Sequence, residues 1–104
     1  MTASWQKEEA LRSDYEYLSE LCDLGMALLN APGGDERLDE IAAPMLEAVA
    51  TIRSRAQMFA ARDMPTYLLD AIAAPLRDWR EGNPYPDIRS DVRRALEQWL
   101  EAVR

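Results

Sequence analysis

The chain has no histidine, one cysteine, one lysine and no apolar run long enough to cross a bilayer. Each absence removes a class of chemistry. Without histidine there is neither a Ser-His nor a Cys-His nucleophile pair, and the commonest metal-binding side chain is missing. A zinc site of Cys and His ligands is excluded for the same reason. Cys22 is the only cysteine, so no intrachain disulfide can form, and its place on an apolar helical face predicts a buried, inert thiol. The opening residues MTASWQKEEALRSD hold no basic stretch followed by an apolar one, so no secretory leader is predicted. A membrane-spanning helix needs roughly 18 apolar residues in a row, so none is predicted either. Together these readings predict a reducing, cytoplasmic setting. The paired glycines Gly33-Gly34 lie in a Pro-Gly-Gly turn, not in a phosphate-cradling loop, and no cofactor is predicted.

What is present is acid, distributed unevenly. The 104 residues carry a net charge of −7. Residues 8–47 hold eleven carboxylates, Glu8, Glu9, Asp14, Glu16, Glu20, Asp23, Asp35, Glu36, Asp39, Glu40 and Glu47, opposed only by Arg12 and Arg37. The remainder is close to neutral. A chain so charged is repelled by nucleic acid and by anionic lipid, and its natural partners are basic or neutral surfaces. Arginines do cluster, at Arg53, Arg55 and Arg62 and again at Arg89, Arg93 and Arg94. Acids at Asp63, Asp87, Asp91 and Glu97 lie close in sequence, which predicts salt-bridged, solvated faces in place of a nucleic-acid footprint.

Apolar residues make up 48% and charged residues 30%, a globular balance, and the length predicts one domain over residues 1–104. The periodicity is helical throughout. In a first segment from Ser4, a candidate N-cap, to Asn30, the residues Leu11, Tyr15, Leu18, Cys22, Gly25 and Leu29 step by four and three. Ala10, Tyr17, Leu21, Leu24 and Leu28 form a second row beside them, so the apolar arc is wide enough to touch two neighbours. Asn30-Ala-Pro-Gly-Gly34 ends the segment and predicts an antiparallel hairpin. The second segment, from Asp35 as N-cap to Arg62, places Leu38, Ala42, Met45, Val49, Ile52, Ala56 and Phe59 on one unbroken seam. That seam could serve self-association, but the hairpin supplies a partner with matching spacing. A third segment follows Asp63 and Pro65 and runs to Glu81, with Leu68, Leu69, Ile72, Leu76 and Trp79 inward. After the rigid loop Gly82-Asn-Pro-Tyr-Pro86, Asp87 caps a last helix that turns Ile88, Val92, Ala95, Leu96, Trp99 and Val103 inward. Trp5 and Tyr85, at a helix start and in a loop, are read as lids on the bundle ends. The prediction is an all-α, four-segment bundle built on a long antiparallel hairpin.

One short echo recurs. Leu38-Asp-Glu-Ile-Ala-Ala-Pro-Met45 is matched by Leu69-Asp-Ala-Ile-Ala-Ala-Pro-Leu76. Each proline removes a helical hydrogen bond, at roughly 3 kcal/mol, and disfavours helix in the residue before it. Kinks or breaks are therefore expected near Pro44 and Pro75, where freed carbonyls and small alanines could also shape a groove.

Carboxylates are the remaining catalytic material. The pairs Glu20–Asp23 and Glu36–Asp39 flank the first turn and resemble the acidic pairs with which all-helical nucleotide pyrophosphatases hold Mg2+. The likeness extends no further than these tetrapeptides. A metal cluster needs acids turned into a shared cleft, whereas helical spacing turns these four away from the apolar seam. The expectation is a non-enzymatic module without catalytic or metal-binding residues, which binds a protein of basic surface. Glu9, Glu16, Glu20 and Asp23 on the first segment, with Glu36, Glu40 and Glu47 on the second, are its candidate partner-binding residues. An immunity-type, antitoxin-like or phage-borne inhibitor of a nucleic-acid-binding defence complex fits that description. The alternatives are a helical adaptor or secretion-type chaperone that self-associates as a homodimer, and a carboxylate-metal nucleotide phosphohydrolase.

Overall fold

The computed structural model describes residues 9–58 and 66–103, without the side chains of Glu9, Ala10, Asp35, Gln57 and Met58. Four helices account for nearly all of it: α1 (Glu9–Asn30), α2 (Gly34–Met58), α3 (Thr66–Arg80) and α4 (Ile88–Val103). The proposed caps Ser4 and Asp63, with Trp5, Phe59, Arg62 and Pro65, lie outside the described residues.

The hairpin turn is set by glycine. Only Ala31, Pro32 and Gly33 separate α1 from α2, and Gly33 adopts a left-handed φ of 70°. The next residue, Gly34, sits so close to the end of α1 that a Cβ there would stand 1.8 Å from the Leu28 carbonyl oxygen. Its N–H donates to the Ala31 carbonyl at 3.1 Å. The helix accordingly starts at Gly34, and Asp35 falls inside the first turn instead of ahead of it as a cap.

Each helix packs on two neighbours, α1 on α2 and α4, and α3 on α2 and α4, while the diagonal pairs barely touch. The result is a ring of antiparallel neighbours, with the α3–α4 hairpin laid across the apolar side of the α1–α2 hairpin. The heptad seam of α2 is consumed inside this ring: Leu38, Ala42, Met45, Val49, Ile52 and Ala56 are all buried within the chain. A self-associating coiled coil through that seam is thereby ruled out for the described positions.

Both prolines lie within uninterrupted helices, Pro44 in α2 and Pro75 in α3, so neither segment breaks. The echo explains why. Leu38, Ile41, Ala42 and Met45 around Pro44, and Leu69, Ile72, Ala73 and Leu76 around Pro75, are buried in the same pattern. Fully burying a Leu, Ile or Met side chain contributes about 1.5–3 kcal/mol, so the three large anchors of each set outweigh the lost hydrogen bond and fix the path on either side of each ring.

Joining α1 to α4 is the one buried polar group of the described core, Ser19. Its hydroxyl donates to the Tyr15 carbonyl at 2.8 Å and accepts from the Trp99 indole N–H at 3.1 Å. Tyr15 and Trp99 also meet edge to face, centroids 6.0 Å apart. Higher along the same contact, a Cβ on Gly25 would lie 2.9 Å from Leu96 and 3.4 Å from Ile41, which shows how closely α4 and α2 approach α1 from its two flanks. Guanidiniums close the periphery. Arg89 donates to the Leu29 carbonyl at 2.6 Å and Arg93 to Asn30 at 2.7 Å, clamping the start of α4 on the end of α1. Arg55 meets Asp14 at 3.2 Å across α2 and α1, and Arg53 pairs with Asp70 across α2 and α3.

Three expected outcomes follow from this packing. Ser19→Ala leaves the buried Trp99 N–H without an acceptor and is expected to lower unfolding free energy by about 1–3 kcal/mol in urea titrations. Trp99→Phe in the Ser19→Ala background should cost less than Trp99→Phe alone, since the hydrogen bond is already lost. Gly34→Ala drives a methyl into the Leu28 carbonyl and should destabilise by about 2 kcal/mol or more, whereas Gly33→Asn, which tolerates positive φ and meets open space, should change stability far less.

Candidate protein-binding surface

The candidate residues occupy the outward faces of α1 and α2. Glu16, Glu20 and Asp23 step along α1 by four and three and are exposed. Glu36, Glu40 and Glu47 step along α2 by four and seven, also exposed. Glu9 begins α1, but its side chain lies outside the described residues. Glu16, Glu20, Glu36, Glu40 and Glu47 make no ion pair with any described residue. Asp14 does not belong with them, because Arg55 holds it against α2.

Between the two acidic rows the surface is not polar. Tyr17 is 49% exposed and Leu24 44% exposed. These residues belong to the second apolar row of α1 and were expected against a neighbouring helix. The reason for the difference is geometric. α4 takes the flank bearing Tyr15 and Ser19, α2 takes the flank bearing Asp14, both approach at Gly25, and the apolar arc is wider than two neighbours can cover. Leu21, between them, is half-buried, while Tyr17 and Leu24 are left at the outer lip of the α1–α2 groove. Next to Tyr17 the groove opens into a shallow hollow of about 210 Å³ lined by Asp14, Tyr17, Pro44, Glu47, Ala48 and Thr51. Pro44 thus does line a groove. Glu20 stands three residues after Tyr17 and four before Leu24, and so borders both; Glu47 stands on the opposite wall.

The other charged features hold the fold together. Arg89 and Arg93 are turned onto the end of α1, and Arg94 lies 3.9 Å from Asp91. The acids that pair with Arg53 and Arg55, Asp70 and Asp14, are remote in sequence, while Asp63 lies outside the described residues. Among the described residues no three Asp, Glu or Cys side chains converge into a cluster that could hold a metal ion. Glu20, Asp23, Glu36 and Asp39 all remain on solvent-facing sides of their helices. Among those residues, too, no helix is long and apolar enough to cross a membrane. Of the aromatics, Trp99 is fully buried, while Trp79 and Tyr85 are half-buried against the core.

Tyr85 acts as a lid on the α3–α4 end. Its hydroxyl donates to Asp91 at 2.7 Å. That bond, reinforced by burial and by the charges of Asp91, Asp78 and Asp87, pushes its pKa up to about 12. The folded value exceeds the ordinary phenol value of about 10, so the stabilisation is complete below pH ~10 and is lost as pH rises toward ~12. In an alkaline titration followed by phenolate absorbance, a tyrosine step near pH 12 should disappear in Tyr85→Phe. That variant should also lose less stability between pH ~10 and ~12 than the parent.

Compared with known protein families, curated proteins and solved structures, the chain matches none, so its reading rests on this surface alone.

Proposed function

We propose that this chain acts without chemistry of its own, as a protein-binding module of inhibitor, immunity or antitoxin type, whose acidic hairpin face engages a basic surface on another protein. The supporting observation is a contrast between two sets of acids. Asp14 and Asp70 each meet a guanidinium across a contact between helices, and Asp91 has Arg94 at 3.9 Å within the same helix. Glu16, Glu20, Glu36, Glu40 and Glu47 are exposed on the two outer faces and have no such partner among the described residues. Concentrated uncompensated charge of one sign destabilises a fold through self-repulsion and gains a use when it steers and holds an oppositely charged partner. A partner that itself binds nucleic acid presents the right surface, since carboxylate rows along two helices can stand at its phosphate positions. A phage-borne inhibitor of a nucleic-acid-binding defence complex is one form this takes.

The homodimeric adaptor reading draws on the same exposed Tyr17 and Leu24. A two-fold pairing through this face would set one acidic row against another, and like charges oppose that association.

The quadruple variant Glu16→Lys, Glu20→Lys, Glu40→Lys and Glu47→Lys tests the proposal. Its helical circular dichroism and thermal unfolding should stay close to those of the parent, because all four side chains are exposed. Affinity for the basic partner should fall by at least about tenfold, and the parent's binding should weaken steeply with added salt. Binding unaffected by both charge reversal and salt would overturn it.

A further inference from the structure

We infer that the α1–α2 groove is the seat for a basic amphipathic helix of the partner, which docks apolar side chains on Tyr17 and Leu24 and lays Lys or Arg along the flanking glutamates. This deepens the proposed function and rests on it. Tyr17 and Leu24 share one row of α1, seven residues apart, and are the two large apolar side chains exposed on the hairpin among the described residues. Two helical turns separate them, roughly 10.5 Å. An α-helix laid along the groove presents its own i, i+3/i+4 and i+7 side chains at that repeat, which is the helix-in-groove mode of recognition. Half-buried Leu21 fills the interval, and the hollow bounded by Pro44, Ala48 and Thr51 leaves room for one inserted side chain beside Tyr17.

Charge decides the occupant. Glu20, three residues after Tyr17 and four before Leu24, borders the apolar strip on the α1 side, and Glu47, which lines the hollow beside Tyr17, borders it on the α2 side. A second copy of this chain would bring the same anions to the same place. An acidic or neutral helix would leave both rims uncompensated, and polyanionic nucleic acid would be repelled. A helix with an apolar stripe between two basic flanks meets every element of the surface at once: anchors at the centre, charge pairs at the rim.

The test uses the full chain labelled with 15N and a synthetic helix of about five turns with leucines on one face and lysines on both flanks. Amide shifts are expected at Tyr17, Leu21, Leu24, Ala48 and Thr51. Tyr17→Ser combined with Leu24→Ser, two exposed sites that leave the core intact, should weaken binding at least about tenfold while its salt dependence persists. The same peptide with glutamates in place of lysines should not bind. Shifts centred elsewhere, or full affinity in the double variant, would overturn the groove as the seat. If that variant binds fully while the quadruple Glu→Lys variant does not, the acidic face acts without the groove and the proposed function survives alone. If neither variant loses affinity, both readings fail. Concentration-dependent shifts at Tyr17 and Leu24 without peptide would assign the strip to a second copy and overturn this inference.

Discussion

The contact between α1 and α4 is the one on which the rest depends, because it joins the first helix to the last and closes the ring. It combines three kinds of interaction along one line. At one end Trp99 and Tyr15 supply apolar area and Ser19 satisfies the indole N–H. In the middle Gly25 lets Leu96 approach the α1 backbone. At the far end Arg89 and Arg93 bond the carbonyl and side-chain oxygens that the end of α1 leaves open. The hydrogen bonds fix the register of a contact whose driving force is apolar burial, since a slip of one turn would strand both the indole and the guanidiniums.

That contact also determines what is left outside. α1 carries more apolar surface than a helix in a four-membered ring can hide. With one flank held by α4 and the opposite flank by α2, Tyr17 and Leu24 have no intramolecular cover. The acidic rows run on either side of them because helical spacing places polar residues next to the edges of an apolar arc. The groove and the acidic rows beside it are therefore a by-product of closing the bundle.

The charge balance is divided in the same way. Of the chain's eleven arginines, Arg53 and Arg55 meet Asp70 and Asp14 across contacts between helices, Arg89 and Arg93 meet the open end of α1, and Arg94 lies beside Asp91 within α4. Within residues 8–47 only Arg12 and Arg37 oppose the eleven carboxylates, and folding turns Glu16, Glu20, Glu36, Glu40 and Glu47 to the outside of the hairpin.

Much of this was legible beforehand. The four helices, the hairpin turn and the inward rows Leu11–Leu29, Leu38–Ala56 and Ile88–Trp99 follow from spacing, because a period of 3.6 residues admits one way of hiding a stripe of that width. The exposure of Glu16, Glu20, Glu36, Glu40 and Glu47 follows from the same arithmetic. At Pro44 and Pro75 local pattern leaves a kink and a break both open, and the folded chain carries each helix through the proline. Two things did not follow. Ser19 reads as one more polar helical residue until Trp99, eighty residues away in sequence, reaches it. Tyr17 and Leu24 read as core until the ring of helices fixes how much of α1 can be covered. Local pattern determines which face of each helix is apolar; how many neighbours that face meets, and which residues remain uncovered, is a property of the assembled bundle, because burial is decided by the distances between helices and not by the sequence of any one of them.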